Sequence, residues 1–429
     1  MGWLHSGRDH HTMPRLRDTT WHLGLGREIG YLFWAMVSLE AAYGAYGGIW
    51  PLWIQHLGAP VSVVGLVLGS AGLMRLITLA PSAGLAERFD PKKIIVVARC
   101  FAVAGLVTAA FAQHWTQLWF MVVATAIGEI AFPLTQAHLA NLAGDNRVRA
   151  FTLVFNVGPA VAFGLSPLIA GVLIARSGMQ SALLLGVLFG VLSLWFFTRL
   201  SPVPKHGHES DEPKVTYREA LAQPGVGRIL SLQFATIFVL SMGISLLPNF
   251  LADERGIAPA LVAVLGGVGS AGSVVYGLIV ARSGRLQALP LVAVAIGALL
   301  VFVTLGVSVT TAFVPAIVVA FLGRGGLWSA WGLFVAALGE VVASERHRPR
   351  VFTLSEMIGG TAFFSAPMLS GLLFEVRPDL PLLASMAAIL LLVPVLLANQ
   401  RTVGALLSAA KDRAVLTSPV GANVEVEVA

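Results

Sequence analysis

The sequence predicts an all-α polytopic membrane protein, with twelve transmembrane helices in two parallel six-helix repeats. Three observations lead there. Of 429 residues, 56% are hydrophobic and only 12% charged, with a mean hydropathy of +0.81, which is more apolar surface than a soluble core hides. The apolar residues fall into about twelve runs, each near the ~20 residues a helix needs to cross a ~30 Å hydrocarbon layer. Helices satisfy their own backbone groups in lipid, and the alternating pattern of a membrane barrel is missing. Finally, short blocks recur about two hundred positions apart, the spacing of an internal duplication.

The spans are expected near 30–55, 61–83, 94–112, 117–142, 151–175 and 181–198, and again near 227–251, 259–281, 288–306, 312–342, 351–374 and 380–399. This divides the chain into an N-terminal segment (1–29), a six-helix half (30–199), a linker (200–226), a second half (227–399) and a tail (400–429). The linker is the long polar interruption, with a short amphipathic helix expected from Val215 to Ala222. The first 28 residues lack the apolar core and small-residue cleavage site of a signal peptide. Of the 28 Lys and Arg, Arg176, Arg255 and Arg377 fall on the outer side, and Arg75, Arg99 and Arg324 fall within spans. The rest share the side of the N-terminus, so both termini are expected in the cytoplasm, with the protein in the plasma membrane, a bacterial inner membrane.

The repeat pairs Gly69-Ser70-Ala71-Gly72 with Gly269-Ser270-Ala271-Gly272, and Arg149-Ala150-Phe151-Thr152-Leu153 with Arg350-Val351-Phe352-Thr353-Leu354. Pro167 and Gly171 return as Pro367 and Gly371. The matched pieces run the same way through the membrane, so the halves are related by an axis along the membrane normal.

Charges within spans are the candidate functional groups, because a charged side chain at the bilayer centre costs ~2.5–3.5 kcal/mol on insertion scales unless it meets water or a partner. Glu40 in the first span and Arg75 in the second fall within one turn in depth, an expected charge pair. Glu129 is central in the fourth span and Arg324 in the tenth, within Leu322-Gly323-Arg324-Gly325-Gly326. An arginine stays charged when desolvated and offers a planar fork to a carboxylate. Trp328 shares the helix face of Arg324, and Trp331 follows it. Tyr43 and Gln233 add hydroxyl and amide contacts, with ordinary packing as the alternative for each. Glu129 and Glu40 are the candidates for proton coupling, with structural burial of Glu129 against Gln136 or His138 as the alternative. Trp50 and Trp53 are expected in the outer aromatic belt, and the single Cys100 as a buried bystander.

After the second span comes Leu85-Ala86-Glu87-Arg88-Phe89-Asp90-Pro91-Lys92-Lys93. With the six-plus-six topology, this turn resembles the signature of the major facilitator superfamily, roughly G-x-L-A-D-R-x-G-R-K. Leu85, Ala86, Arg88 and Lys92 match and Glu87 replaces the Asp, while Ala83, Asp90 and Pro91 depart from it. The resemblance implies a major facilitator fold in which the first, fourth, seventh and tenth spans line a central cavity. Physically, Glu87 is placed to meet the positive N-terminal end of the eleventh span as a cytoplasmic gate, with Arg88, Lys92, Lys93 and Glu356. The alternative is a solvated turn that sets topology.

Gly48-Ile49-Trp50-Pro51-Leu52-Trp53, Leu73-Met74-Arg75 and Phe132-Pro133-Leu134-Thr135-Gln136 resemble the aromatic-acid (phenylpropionate permease) and sugar-symporter-like branch. Gly158 through Gly164-Leu165-Ser166-Pro167 to Gly171 loosely resembles the glycine-proline motif of drug-proton antiporters, and also fits close helix packing. The expected function is secondary transport of a small organic solute, proton-coupled uptake of an organic acid first and proton-driven efflux of amphiphiles second. A transporter-derived membrane sensor is the reading from another class. The partners are substrate, protons and lipid, with no nucleic acid, cofactor or metal, and the protein is expected to be monomeric. An enzyme is not expected, since the histidines His5, His10, His11, His22, His206 and His208 cluster in exposed segments, and no phosphate-binding G-x-x-x-x-G-K-[ST] loop occurs.

Overall fold

The computed structural model describes residues 24–79, 89–143, 147–202, 216–342 and 347–416. Among them there is no strand, and eleven helices are long and apolar enough to cross a membrane. The expected first span is not among the eleven. It consists of α1 (Arg27–Gly47) and α2 (Trp50–His56), and Glu28, Glu40, tyrosines and glycines dilute its apolar character. At 21 residues α1 is about 31 Å long, and it packs between the fifth and sixth spans.

The chain continues through α3 (Val61–Leu79), α4 (Pro91–Ala110), α5 (Leu118–Glu129), α6 (Ala131–Leu142), α7 (Gly158–Ser177) and α8 (Gln180–Thr198). A π-helical stretch, Thr152–Val157, leads into α7. Beyond the linker come α9 (Val226–Ile244), α10 (Leu247–Asp253), α11 (Pro259–Arg282) and α12 (Pro290–Thr310). The tenth span is α13 (Val314–Phe321), a 3-10 stretch (Leu322–Gly325) and α14 (Gly326–Val341). Helices α15 (Arg348–Val376) and α16 (Leu380–Leu416) finish the fold.

Packing repeats along the chain. Helix α1 lies on α7 and α8 as α9 lies on α15 and α16, and α4 touches α5 and α8 as α12 touches α14 and α16. Even the polar ties match: Ser193 donates to the Ala35 carbonyl at 2.7 Å, and Ser385 to the Val239 carbonyl at 2.7 Å. The two sets meet along α3 with α15 and α7 with α11. Glycine makes both seams close. A Cβ at Gly69 would collide with the Phe364 carbonyl, and one at Gly171 would stand 2.9 Å from the Ala260 carbonyl.

One end carries an additional polar clasp. Gln55 donates to Asp253 at 2.9 Å, and Asn249 donates both to Gln55 at 2.6 Å and to the Pro51 carbonyl at 3.3 Å. This is the end opposite Glu28, whose carboxylate accepts from the Ser201 amide at 3.0 Å and its hydroxyl at 2.7 Å.

Several local expectations change. The described part of the linker helix is Tyr217–Leu221, opened by a Thr216–Glu219 capping box, and the Arg350 guanidinium lies 4.9 Å from the Tyr217 ring centre. Asp90 and Pro91, which depart from the superfamily turn, are the N-cap and first residue of α4, with Asp90 accepting from the Lys92 amide at 2.9 Å. They form a helix-start signal of their own. Cys100 is exposed, not buried. It belongs to an outward face of α4 with Val97 and Phe101, and in lipid an apolar setting does not imply burial. Trp53 is 5% exposed and donates to the Ala109 carbonyl at 3.0 Å, so it is a packing residue instead of a belt residue.

Candidate functional site

Four spans that the sequence reads as continuous are broken, and each break has a local cause. Pro133 lacks the N–H that would reach the Glu129 carbonyl, and its ring crowds that carbonyl; α5 ends at Glu129 and α6 begins at Ala131. Pro51 and Pro248, each the second residue of a short helix, accompany the breaks after Gly47 and Ile244. The tenth span has no proline there and tightens instead into its 3-10 stretch at Arg324, the kind of irregularity that often marks functional positions in helices.

All four breaks border one cavity of about 670 Å³, lined by Gly47, Pro51, Glu129, Ser245, Pro248 and Arg324 among others. Tyr43, Trp328, Trp331 and Glu356 line it too. The opposite charges of Glu129 and Arg324, one from each half, therefore open onto the same void. Glu129 accepts a hydrogen bond from the Tyr43 hydroxyl at 3.2 Å. Arg324 forms no ion pair among the described residues, and Gly269 admits its stem, with a hypothetical Cβ 3.3 Å from the arginine Cδ.

The wall beyond Arg324 is aromatic. Phe363 lies between Trp328 and Trp331, with ring centres 5.8 Å from each and interplanar angles of 32° and 30°. Trp328 thus pairs with Phe363 on the cavity wall. Gly359 makes this possible, because a Cβ there would collide with the Trp331 ring.

Glu356, expected at a cytoplasmic gate, instead lines the central cavity. It shares a face with Gly360, Phe363 and Pro367 at helical spacing, and all four border the void. Lys92 and Lys93 are on the first turn of α4, away from the cavity wall. Glu87 and Arg88 lie outside the described residues, as does the Arg75 side chain of the expected Glu40–Arg75 pair. Glu40 is not on the cavity wall; the charges acting on it are Glu129 and Arg99. Gln233 is buried and accepts from the Ser355 hydroxyl at 3.0 Å, so it ties α9 to α15 instead of facing the void.

Sequence reasoning missed Phe363, Thr125 and Ser245 on the wall. The periodicity of Gly360, Phe363 and Pro367 was the available signal for Phe363; the other two are ordinary small polar residues in apolar helices.

A polytopic helical protein with a charged void between two like sets of helices is the class that these features define. The family model described as the Major Facilitator Superfamily matches residues 32–367, and the chain belongs to that superfamily. An uncharacterized MFS-type transporter of Mycobacterium tuberculosis is 27% identical over 161 residues, 37% of this chain and 38% of that one. One of Methanocaldococcus jannaschii is 27% identical over 157 residues, 35% and 40% of the two chains. These alignments span about two fifths of the relatives' lengths.

Among solved structures, the fold is similar to the nucleoside transporter NupG, with a TM-score of 0.65, 12% identity and coverage of 89% of this chain and 99% of that one. It is also similar to a POT family transporter in complex with 5-aminolevulinic acid (TM-score 0.69, 11% identity, 87% and 96%). A third is the human organic anion transporter MFSD10 (0.61, 13%, 86% and 98%). At these identities the likeness concerns the fold.

Proposed function

We propose that the protein is a secondary active transporter that takes up a small organic acid, aromatic acids among them, coupled to protons. The observation that carries this reading is the shared cavity of Arg324 and Glu129. A guanidinium binds a carboxylate by paired charge-assisted hydrogen bonds, and the Trp328–Phe363–Trp331 wall offers flat apolar surface to a ring. Glu129, a carboxyl inside the membrane, is the group that loads and releases the proton. Glu356 borders the same void and is a second candidate. The resemblance of the first four spans to aromatic-acid permeases supports the substrate class, and the Lys and Arg asymmetry supports cytoplasmic termini.

The test is transport of radiolabelled aromatic acids into proteoliposomes. Glu129→Gln is expected to keep counterflow exchange and to lose accumulation driven by a pH gradient. Equal accumulation by wild type and Glu129→Gln would remove the proton role.

Alternating access requires the Gln55–Asn249–Asp253 clasp to release. Losing the two hydrogen bonds that Asn249 donates, to Gln55 and to the Pro51 carbonyl, at about 1 kcal/mol each, shifts the population roughly 30-fold toward opening at that end. In a Cys100→Ser background, a cysteine at Ser245 is therefore expected to react faster with an impermeant maleimide applied from the clasp side when Asn249→Ala is added. An unchanged rate would mean that the glycine seams alone hold that end.

Proton-driven efflux of amphiphiles is the second reading, favoured by the aromatic wall. It assigns Arg324 no contact with cargo. The glycine-proline stretch adds less to it, because Gly171 packs on Ala260 and Val264 of α11.

A further inference from the structure

Arg99 of α4 is 2% exposed, and its Nε and Nη1 have no hydrogen-bond partner. Its guanidinium lies 5.6 Å from the Phe197 ring centre, and no ion pair closes between it and Glu40, although the two feel each other's charge. A buried cation with idle donors is costly to maintain unless something accepts from it. Beside it is a partly open chamber of about 30 Å³ with a largely apolar wall that includes Gly190, into which Arg99, Tyr43, Tyr46, Thr125 and Ser193 bring the polar groups. Tyr43 and Thr125 also line the central cavity, so the two voids share a wall.

The chamber has the size and chemistry for about one or two water molecules, each needing two to four polar partners. The Tyr43 oxygen donates its proton to Glu129 and keeps lone pairs to accept. The Ser193 oxygen, which donates to the Ala35 carbonyl, does the same. A small anion fits less well, since Glu40 and Glu129 already bring two carboxylates to this cluster around Arg99.

We infer that the chamber is a hydrated site in which water held by Nε and Nη1 of Arg99 bridges to the Tyr43 hydroxyl and through it fixes Glu129 at the cavity edge. Arg99 is then a positioning residue for the cavity carboxylate, without contact to cargo. Its bearing on transport rests on the role proposed for Glu129; the hydration does not.

Hydroxyl-radical footprinting of the purified protein tests this without a substrate. Tyr46 is the reporter, being 7% exposed and on the wall of the chamber but not of the central cavity. Tyr46 is expected to be modified in the wild type, to lose modification in Arg99→Met and to regain it in Arg99→Lys, with Trp331 modified throughout. Gly190→Ala leaves Arg99 in place and adds a methyl 3.3 Å from Val103 Cγ2; it is expected to reduce Tyr46 modification in a protein that still folds. An unmodified Tyr46 in the wild type, or equal modification in the wild type and both Arg99→Met and Gly190→Ala, would overturn the inference. Protection of Tyr46 by chloride but not gluconate would overturn it in favour of an anion. Loss of this result leaves the central cavity's transport role untouched, and a failed transport assay leaves the footprint unaffected.

Discussion

Arg324→Ala is expected to reduce uptake of an organic acid by about 100-fold, because truncating one partner of a desolvated, hydrogen-bonded charge pair costs ~2–5 kcal/mol and ~3 kcal/mol is two decades. The size of the effect follows from the surroundings of the residue. Arg324 stands on a 3-10 stretch held between α11 and α12, lines the void and has no ion-pair partner among the described residues. Within the transport reading, the carboxylate of the cargo is its counter-charge. Arg324→Lys keeps the charge but loses the fork, so it should recover only part of the activity. Counterflow of radiolabelled aromatic acids in proteoliposomes measures all three proteins. Undiminished exchange by Arg324→Ala, alongside export of amphiphilic compounds, would transfer the function to the efflux reading.

Much of this arrangement is legible in the residues themselves. Apolar runs of bilayer length announce the spans, and the cost of burying charge singles out Glu129 and Arg324, which the fold brings to one void. What escapes a linear reading is where helices break and which face turns inward. Pro133 is visible, yet whether its missing hydrogen bond ends a helix depends on what else holds the Glu129 carbonyl region. The first span is hard to delimit for a related reason: Tyr43 on the cavity wall and Glu40 away from it both lower its hydropathy.

Depth along a helix is also a poor guide to role. Glu356 lies only about two turns into α15, so counting from the helix start suggests a gate, whereas its register with Gly360 and Phe363 sets it on the cavity wall. Arg99 carries a different lesson. Its position within a span marked it as topologically unusual, but only packing reveals that its Nε and Nη1 find no protein acceptor.

Gly272→Val is expected to lose most of the folded protein, whereas Gly277→Val on the same helix should behave as wild type. A Cβ at Gly272 would collide with the Leu322 carbonyl, while one at Gly277 meets nothing within 4 Å. The clash is severe because its target is backbone with little room to retreat. The same stretch is held by Gly323 against the Leu300 carbonyl and by Gly325 against the Ser273 amide. Overpacking of a tight core costs about 1–3 kcal/mol and more where backbone must shift, and here the displaced segment carries Arg324. The glycines around Arg324 therefore serve to seat the segment between its neighbours more than to clear space for cargo. Size-exclusion profiles and thermal melts in detergent compare the two variants. A stable Gly272→Val would mean that α11 and the 3-10 stretch can separate, and such a protein should then show weakened exchange of organic acids, because the seat of the guanidinium has moved.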